Sequence, residues 1–391
     1  MTSDPLAAVP PRYGRGSLAD VLPGTLAALD GRTGPTALSG LMDGPLAGIR
    51  RVALLLVDGL GWHQMPLLAA RGTTFAEIAA GRLGTGGVLT AGFPSTTPTS
   101  LVSLGAGVAP GAHGILGFTL RVPGTDRVLN HVRWADEPDP LVWQPVATQF
   151  DLAAATGTTV RVVSRPEFAG SGLTVAAYGS APFRPAGTAE ELATVMLAEL
   201  SAAPAPALVY GYHPDLDKAG HLYGVESAEW RAQAVVVDRL VTRLVDGLAP
   251  DSALIVTADH GQLDVPATHR IDCDADPRLG AGVEVISGEP RVRYLHARAG
   301  AGGDVMAAWQ EILGDAAAVV SRDEAIAAGW FGPIPEAHLQ RIGDVVVACR
   351  DRYVVLATRR EPELLSRFIG FHGSTTAAEM EIPLVIIRPA G

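Results

Sequence analysis

The residues of this chain best suited to chemistry are Asp58, Thr97, Asp217, His221, Asp259, His260 and His372. Asp and His supply the oxygen and nitrogen donors that zinc takes. Asp217 and His221 bracket the segment Asp217-Lys218-Ala219-Gly220-His221, a spacing that puts both on one face of a helical turn. A single such pair equally fits a capping Asp beside an unrelated surface His. Asp58 and Asp259 each follow an apolar run, Arg51–Val57 and Leu254–Thr257. Both therefore sit at the carboxyl end of an expected buried strand, the edge where open α/β sheets bind ligands. One Asp in that position is most simply a turn former or cap. Two of them, one followed directly by His260, point to a shared site. His372 alone reads as a structural histidine, but Gly370 and Gly373 flank it and let backbone and ligand approach closely. His213, Asp215 and Asp264 lie nearby and are selected by neither the strand ends nor the helical spacing.

Thr97 lies in Pro94-Ser95-Thr96-Thr97-Pro98-Thr99, at an expected loop-to-helix junction. Free N–H groups at a helix start suit phosphate. Ser and Thr there usually act as caps, and an unaided threonine hydroxyl is a poor nucleophile at neutral pH. A nucleophilic Thr97 needs a cation beside it. Taken together, the residues make one site. One zinc takes Asp217, His221 and His372; the other takes Asp58, Asp259, His260 and the Thr97 oxygen. Three carboxylates and one alkoxide balance two Zn²⁺ ions and leave the site able to accept an anionic phosphoryl group. Two metals about 4 Å apart clamp the attacking and leaving oxygens of an in-line displacement. Donors without thiolate suit zinc and also admit Mn²⁺ or Mg²⁺.

These residues need a scaffold. Arg51–Val57 reads as a buried parallel strand, joined by Val88–Thr90, Val160–Ser164, Leu208–Tyr210, Leu254–Thr257 and a final Ile382–Ile387. Thr99–Leu104 opens a helix, with Pro98 tolerated in its first turn. Ser227–Leu248 is the clearest helix, with Trp230, Val237, Val241, Leu244 and Leu248 at 3- and 4-residue steps. Strands alternating with helices predict an α/β fold, with a mostly parallel central sheet and helices on both faces. The expected organisation is a lead-in over 1–48 packed on the core, a catalytic core over 49–261 and 371–391, and an inserted cap over 262–370. Within the cap, Arg291–His296 is a candidate strand, and Asp344–Ala348 is expected to pair with Tyr353–Ala357.

Bulk properties narrow the partners. The 391 residues are 48% hydrophobic and 18% charged, with a net charge of −11. An acidic surface argues against long nucleic acid but not against a small phosphate ester in a locally positive pocket. Lys218 is the only lysine, so Schiff-base chemistry would rest on it alone. Cys273 and Cys349 allow one bridge but no disulfide framework and no CxxC metal site. No apolar run reaches the ~18 residues of a membrane span. Met1–Arg15 lacks a basic start followed by an apolar stretch, so the expected compartment is the cytoplasm. The sequence sets no oligomeric state.

At the same residues the chain resembles the alkaline phosphatase superfamily, most closely its type I phosphodiesterase/nucleotide pyrophosphatase branch, which includes phosphonoacetate hydrolase. The matching segments are Val57-Asp58-Gly59, Phe93-Pro94-Ser95-Thr96-Thr97, His113-Gly114-Ile115, Asp217-Lys218-Ala219-Gly220-His221-Leu222-Tyr223-Gly224, Thr257-Ala258-Asp259-His260-Gly261 and Phe371-His372-Gly373. The resemblance implies that the nucleophile precedes the His-Gly pair by sixteen positions, which from His113 gives Thr97; Thr96 is the lesser candidate. It implies a covalent phospho-threonine or nucleotidyl-threonine intermediate, then hydrolysis. It also implies an Asn shortly after the His-Gly pair to hold a nonbridging phosphate oxygen, where this chain has Phe118. Asn130, Arg121 and Arg133 are candidates to replace it on nearness in sequence. The Phe-Pro-Asn expected after the nucleophile is replaced by Pro98-Thr99-Ser100.

The leading expectation is a two-metal phosphodiesterase or nucleotide pyrophosphatase acting on a small phosphate ester, including nucleotides. The alternatives are a phosphomonoesterase or phosphonate hydrolase on the same metal core, and a catalytically inactive metal-binding protein.

Overall fold

In a computed structural model, residues 4–31, 36–135 and 137–389 are described. Eleven strands carry the argument: β1 (Arg51–Val57), β2 (Thr85–Thr90), β3 (Thr159–Ser164), β4 (Phe183–Pro185), β5 (Ala207–His213), β6 (Ser252–Thr257), β7 (Val283–Glu289), β8 (Val292–Ala297), β9 (Ala317–Ser321), β10 (Val345–Cys349) and β11 (Glu381–Ile387). The central sheet runs β2-β11-β6-β1-β5-β3-β4. Five adjacent strands, from β6 to β4, pair in parallel, and β11 runs antiparallel between β2 and β6. The expected α/β architecture with a mostly parallel sheet is present.

The reason lies in the strands themselves. β1, β5 and β6 are almost wholly buried, as unbroken Val/Leu/Ile runs require when helices cover both faces. The helices used below are α1 (Thr97–Ala106), α2 (Gly172–Tyr178), α3 (Ala189–Ala202), α4 (Asp215–Tyr223) and α5 (Ala228–Asp246). In α5, Ser227 caps the start by accepting from the Trp230 amide at 3.1 Å. Trp230, Ala234, Val237, Val241 and Leu244 then form its buried stripe. Each such side chain, fully buried, stabilises by about 1.5–3 kcal/mol; Val237→Asp would put a charge into that stripe and unseat the helix from α3 and α4. α1 opens at Thr97 rather than Thr99, with Pro98 inside its first turn as expected.

Residues 4–31 lie on the core. Leu18 and Leu22 are fully buried, and the Arg12 amide donates to Thr90 Oγ1 at 2.9 Å. Between β6 and β11 the chain builds a second, antiparallel sheet, β7-β8-β10-β9. Its ends are clasped where Leu263–Asp264 pairs antiparallel with Gly370–Phe371. Trp309, Leu295 and Val347 form a core of its own, while Tyr294, Phe331 and Val346 join the main one.

One expected pairing is absent. Val354–Leu356 does not pair with β10; it pairs in parallel with Arg270–Asp272. Both edges of β10 are already taken, by β8 and β9, and the backbone turns away at Asp351, where φ is +42°. The expected strand at Arg291 begins one residue later, because Arg291 turns inward to meet Glu379. Cys273 and Cys349 are free, buried thiols. No helix among the described residues is long and apolar enough to cross a membrane.

Candidate active site

Three strand ends converge. Asp58 follows β1, Asp259 and His260 follow β6, and α4, which leads away from β5, carries Asp217 and His221. Thr97 is the first residue of α1, and His372 follows the short Gly370–Phe371 strand. All seven residues named from sequence come together.

Their ligand atoms fall into two groups around His260. On one side, His260 Nε2 lies 3.5 Å from Asp58 Oδ1, 3.2 Å from Asp259 Oδ2 and 3.1 Å from Thr97 Oγ1. On the other, His221 Nε2 lies 3.2 Å from Asp217 Oδ2 and 3.1 Å from His372 Nε2, which is itself 3.8 Å from Asp217 Oδ1. The His260 and His372 rings stack at 3.6 Å. Asp58–Asp259–His260 and Asp217–His260–His372 each bring their ligand atoms within metal-binding range.

The outer contacts aim these atoms. His221 Nδ1 meets Gly370 O at 2.8 Å, His260 Nδ1 meets Gly261 O at 3.1 Å, and His372 Nδ1 meets Ser95 O at 2.9 Å. A carbonyl only accepts, so Nδ1 carries the proton in each ring and Nε2 keeps its lone pair for the site. Asp259 Oδ1 accepts from the Gly59 and His260 amides at 3.1 and 3.0 Å, and Tyr212 donates to Asp58 Oδ2. The remaining oxygens, Asp58 Oδ1 and Asp259 Oδ2, are buried without a partner. Gln262 Nε2 donates to Asp217 Oδ1 at 2.9 Å. Gly59, at φ +72°, lets the Asp58 turn touch α4: a Cβ there would come within 2.9 Å of Asp217 Cβ. Gly370 passes the α4 backbone equally closely, its would-be Cβ 2.6 Å from Gly220 O.

Thr97 is held by its neighbours. Ser95 N donates to Gly373 O at 2.9 Å, Ser95 Oγ donates to Ser374 O at 2.7 Å, and Ser100 Oγ donates to Asp259 O at 2.8 Å. The start of α1 is thus tied to the loops that carry Asp259 and His372.

Charge in this buried site is unbalanced. Burial, then Asp259 and Asp217, push the Asp58 carboxyl well above its usual range. Burial also raises Asp259, against the pull of His260. Burial opposes ionisation of Asp217, but His221, His372 and His260 outweigh it and hold the carboxyl below its ordinary value. Burial, then His260, drives His372 well below the usual histidine range. Burial opposes the charge on His221, but Asp217 outweighs it and raises that imidazole. Crowded carboxylates with unpartnered oxygens, beside imidazoles that turn Nε2 inward, are a donor set suited to divalent cations.

A cavity of about 520 Å³ opens from His221 and His372. One wall holds Phe118, Asn130 and Arg133; the other comes from the second sheet and the 357–371 segment, with Glu289 and Phe368. Phe368 stacks on His221 at 4.6 Å. Asn130 caps the turn after it, accepting from the Val132 and Arg133 amides at 3.1 and 3.2 Å. Arg121 is engaged by Glu284 at 2.9 Å and by Thr125 O at 2.6 Å. His113 meets Ser103 at 2.9 Å, away from the ligand groups. Asp215 pairs with Arg165 and Asp264 accepts from the Val225 amide; neither these nor His213 enters the ligand groups. Sequence reading missed Tyr212, Gln262 and Glu289. Gln262 directly follows the Asp259-His260-Gly261 segment, which was a usable signal; Glu289 has none nearby.

The fold is shared with solved structures. Murine ectonucleotide pyrophosphatase / phosphodiesterase 5 superposes with a TM-score of 0.70 at 19% identity, covering 87% of this chain and 88% of that one. An inactive variant of the same murine protein was solved in complex with AMP, with a TM-score of 0.69 at 19% identity and the same coverage. Phosphonoacetate hydrolase from Sinorhizobium meliloti, in complex with phosphonoformate, gives 0.64 at 20% identity over 86% of this chain and 90% of that one. No curated protein matches in sequence. The model of the type I phosphodiesterase / nucleotide pyrophosphatase family matches residues 52–375, and the chain belongs to that family of metal-dependent phosphoric ester hydrolases.

Proposed function

We propose that the protein is a two-zinc phosphodiesterase or nucleotide pyrophosphatase in which Thr97 is the nucleophile. One observation carries the reading. Three imidazoles, each with Nδ1 committed to a backbone carbonyl, turn Nε2 toward a space that also receives two unpartnered carboxylate oxygens and the Thr97 hydroxyl. Asp217, His221 and His372 would hold one ion; Asp58, Asp259 and His260, with the Thr97 oxygen, would hold the other. When bound, the ions supply the positive charge that favours an ionised threonine oxygen and an anionic phosphoryl group.

The chain's own groups do the rest. The start of α1 gives Thr97 a fixed position at a helix N-terminus, whose dipole favours negative charge. Thr97 Oγ1 forms a bond to phosphorus as the bond to the leaving-group oxygen breaks, giving a phospho-threonine. Water then attacks phosphorus, releasing the phosphoryl product and restoring the hydroxyl. The cavity has room for a nucleotide-sized substituent, and AMP bound to the murine neighbour supports a nucleotide as substrate. Phosphonate or monoester hydrolysis is the second reading, supported by the phosphonoformate complex of phosphonoacetate hydrolase and by Phe118 standing where the resemblance implies Asn.

The test is Thr97→Ala, assayed on bis(4-nitrophenyl) phosphate and on 4-nitrophenyl phosphate, with zinc counted by elemental analysis. The expected outcome is near-complete loss of turnover at unchanged zinc content, with the wild type preferring the diester. Activity close to wild type would move the nucleophile elsewhere. A wild type that binds zinc without turnover would point to an inactive metal-binding protein.

A further inference from the structure

Two buried polar atoms on the cavity wall, Thr96 Oγ1 and Glu289 Oε1, make no well-formed hydrogen bond; the closest groups to the carboxyl are the Thr96 hydroxyl and the Phe118 amide. Thr96 is fully buried and Glu289 is 4% exposed. Both line the cavity that His221 and His372 also line. Glu289 ends β7, so it reaches the site from the second sheet, not from the strand ends that carry Asp58, Asp259 and His260. Its carboxyl is seated against the loop after His372: a Cβ on Gly373 would lie 3.1 Å from both Glu289 Cγ and Cδ.

No cation neutralises Glu289 among the described residues. The charged and titratable groups facing it are engaged elsewhere. Arg293 is bound to Glu361, Glu379 to Arg291, and the Tyr294 hydroxyl donates to Leu116 O at 2.6 Å. A buried carboxylate without a cation paired to it is costly, and such a group takes up a proton instead. Burial pushes the carboxyl up to about 8, against the smaller pull of the Thr96 hydroxyl and the Phe118 amide. A neutral carboxylic acid offers an O–H donor, and threonine offers another.

We propose that Glu289 and Thr96 donate hydrogen bonds to a nonbridging oxygen of the phosphoryl group attacked by Thr97. The inference rests on Thr97 as nucleophile. The two side chains do the work that Phe118, which has no side-chain donor, cannot do. Neither makes nor breaks a covalent bond. Their contribution grows as charge builds on the oxygen in the transition state, so it falls chiefly on kcat.

The experiment compares wild type, Glu289→Gln, Glu289→Ala, Thr96→Val and Thr97→Ala on bis(4-nitrophenyl) phosphate, from neutral to alkaline pH. Zinc content and thermal midpoint are measured for each. Losing one such donor costs on the order of 10²-fold in kcat, so Glu289→Ala is expected to lose about that much with bound zinc unchanged. Thr96→Val is expected to lose roughly 10-fold, at the weaker end for a neutral donor. Glu289→Gln keeps a donor and is expected to stay within about 3-fold of wild type at neutral pH. The donor is present below the carboxyl's pKa and lost above it. Wild-type kcat/KM therefore carries a decline as pH rises through the carboxyl's raised pKa, and Glu289→Gln lacks that decline. The proposal is overturned if Glu289→Ala keeps wild-type kcat, if Gln is as damaging as Ala at full zinc content, or if Glu289→Gln keeps the alkaline decline. Should Glu289→Ala fail to fold, the Gln profile decides alone. An active Thr97→Ala would instead refute the nucleophile assignment on which the inference stands.

Discussion

Glu379→Ala tests how the site is braced. The Arg291 and Glu379 side chains are both fully buried. Arg291 Nε and Nη2 donate to Glu379 Oε1 and Oε2 at 2.9 and 2.6 Å. Oε1 also accepts from the Ser374 amide at 2.9 Å, and the Glu379 carbonyl accepts from the Gly261 amide at 2.8 Å. One residue thus joins the turn before β8 to the loops carrying His372 and His260. Removing the carboxylate leaves the Arg291 guanidinium buried and uncompensated, a loss of about 3–5 kcal/mol. Unfolding entropy near 2.1 cal/mol/K per residue, over 391 residues, comes to about 0.8 kcal/mol/K. The thermal midpoint is therefore expected to fall by about 4–6 °C, read by circular dichroism, with a parallel fall in bound zinc as the two histidine loops loosen. Replacing both partners by apolar groups, Arg291→Met with Glu379→Leu, removes the stranded charge and is expected to recover most of the loss. A midpoint within about 1 °C of wild type for Glu379→Ala would refute the reasoning, given the slope just derived. A double variant no more stable than Glu379→Ala would also refute it.

Two further outcomes are expected. Asp259→Asn should lose one metal and most of the activity, because Oδ2 is the oxygen left without a partner; unchanged zinc by elemental analysis would remove Asp259 from the ligand set. Gly105→Ala would drive a Cβ to 1.8 Å from Ala177 O, a backbone atom of α2 that cannot swing aside. It should cost about 1–3 kcal/mol as overpacking and lower kcat by shifting α1, whereas a wild-type melting curve would mean that α1 and α2 separate freely.

The metal-site candidates were legible because their signals are local. A carboxylate after an apolar run is a strand end, and Asp217 with His221 share a helix face by spacing alone. The start of α1 was displaced by two residues, because Pro98 tolerates two positions in a first turn. The pairing of Val354–Leu356 was not legible, since strand composition does not say which edges are already occupied. Nor were Glu289, Tyr212 and Gln262 identified as parts of the site. Glu289 reaches Thr96 from almost two hundred residues away in the chain, and nothing beside it marks a buried acid.

The sequence by itself determined the sheet that presents Asp58, Asp259 and His260 at one edge, and the identity of the seven candidate residues, because period and turn chemistry act over a few neighbours. Tertiary structure alone decided how those residues are aimed. The carbonyls that orient the three imidazoles on Nε2, the buried Arg291–Glu379 brace and the buried Glu289 all depend on packing between distant segments, where burial rather than local propensity sets the energy.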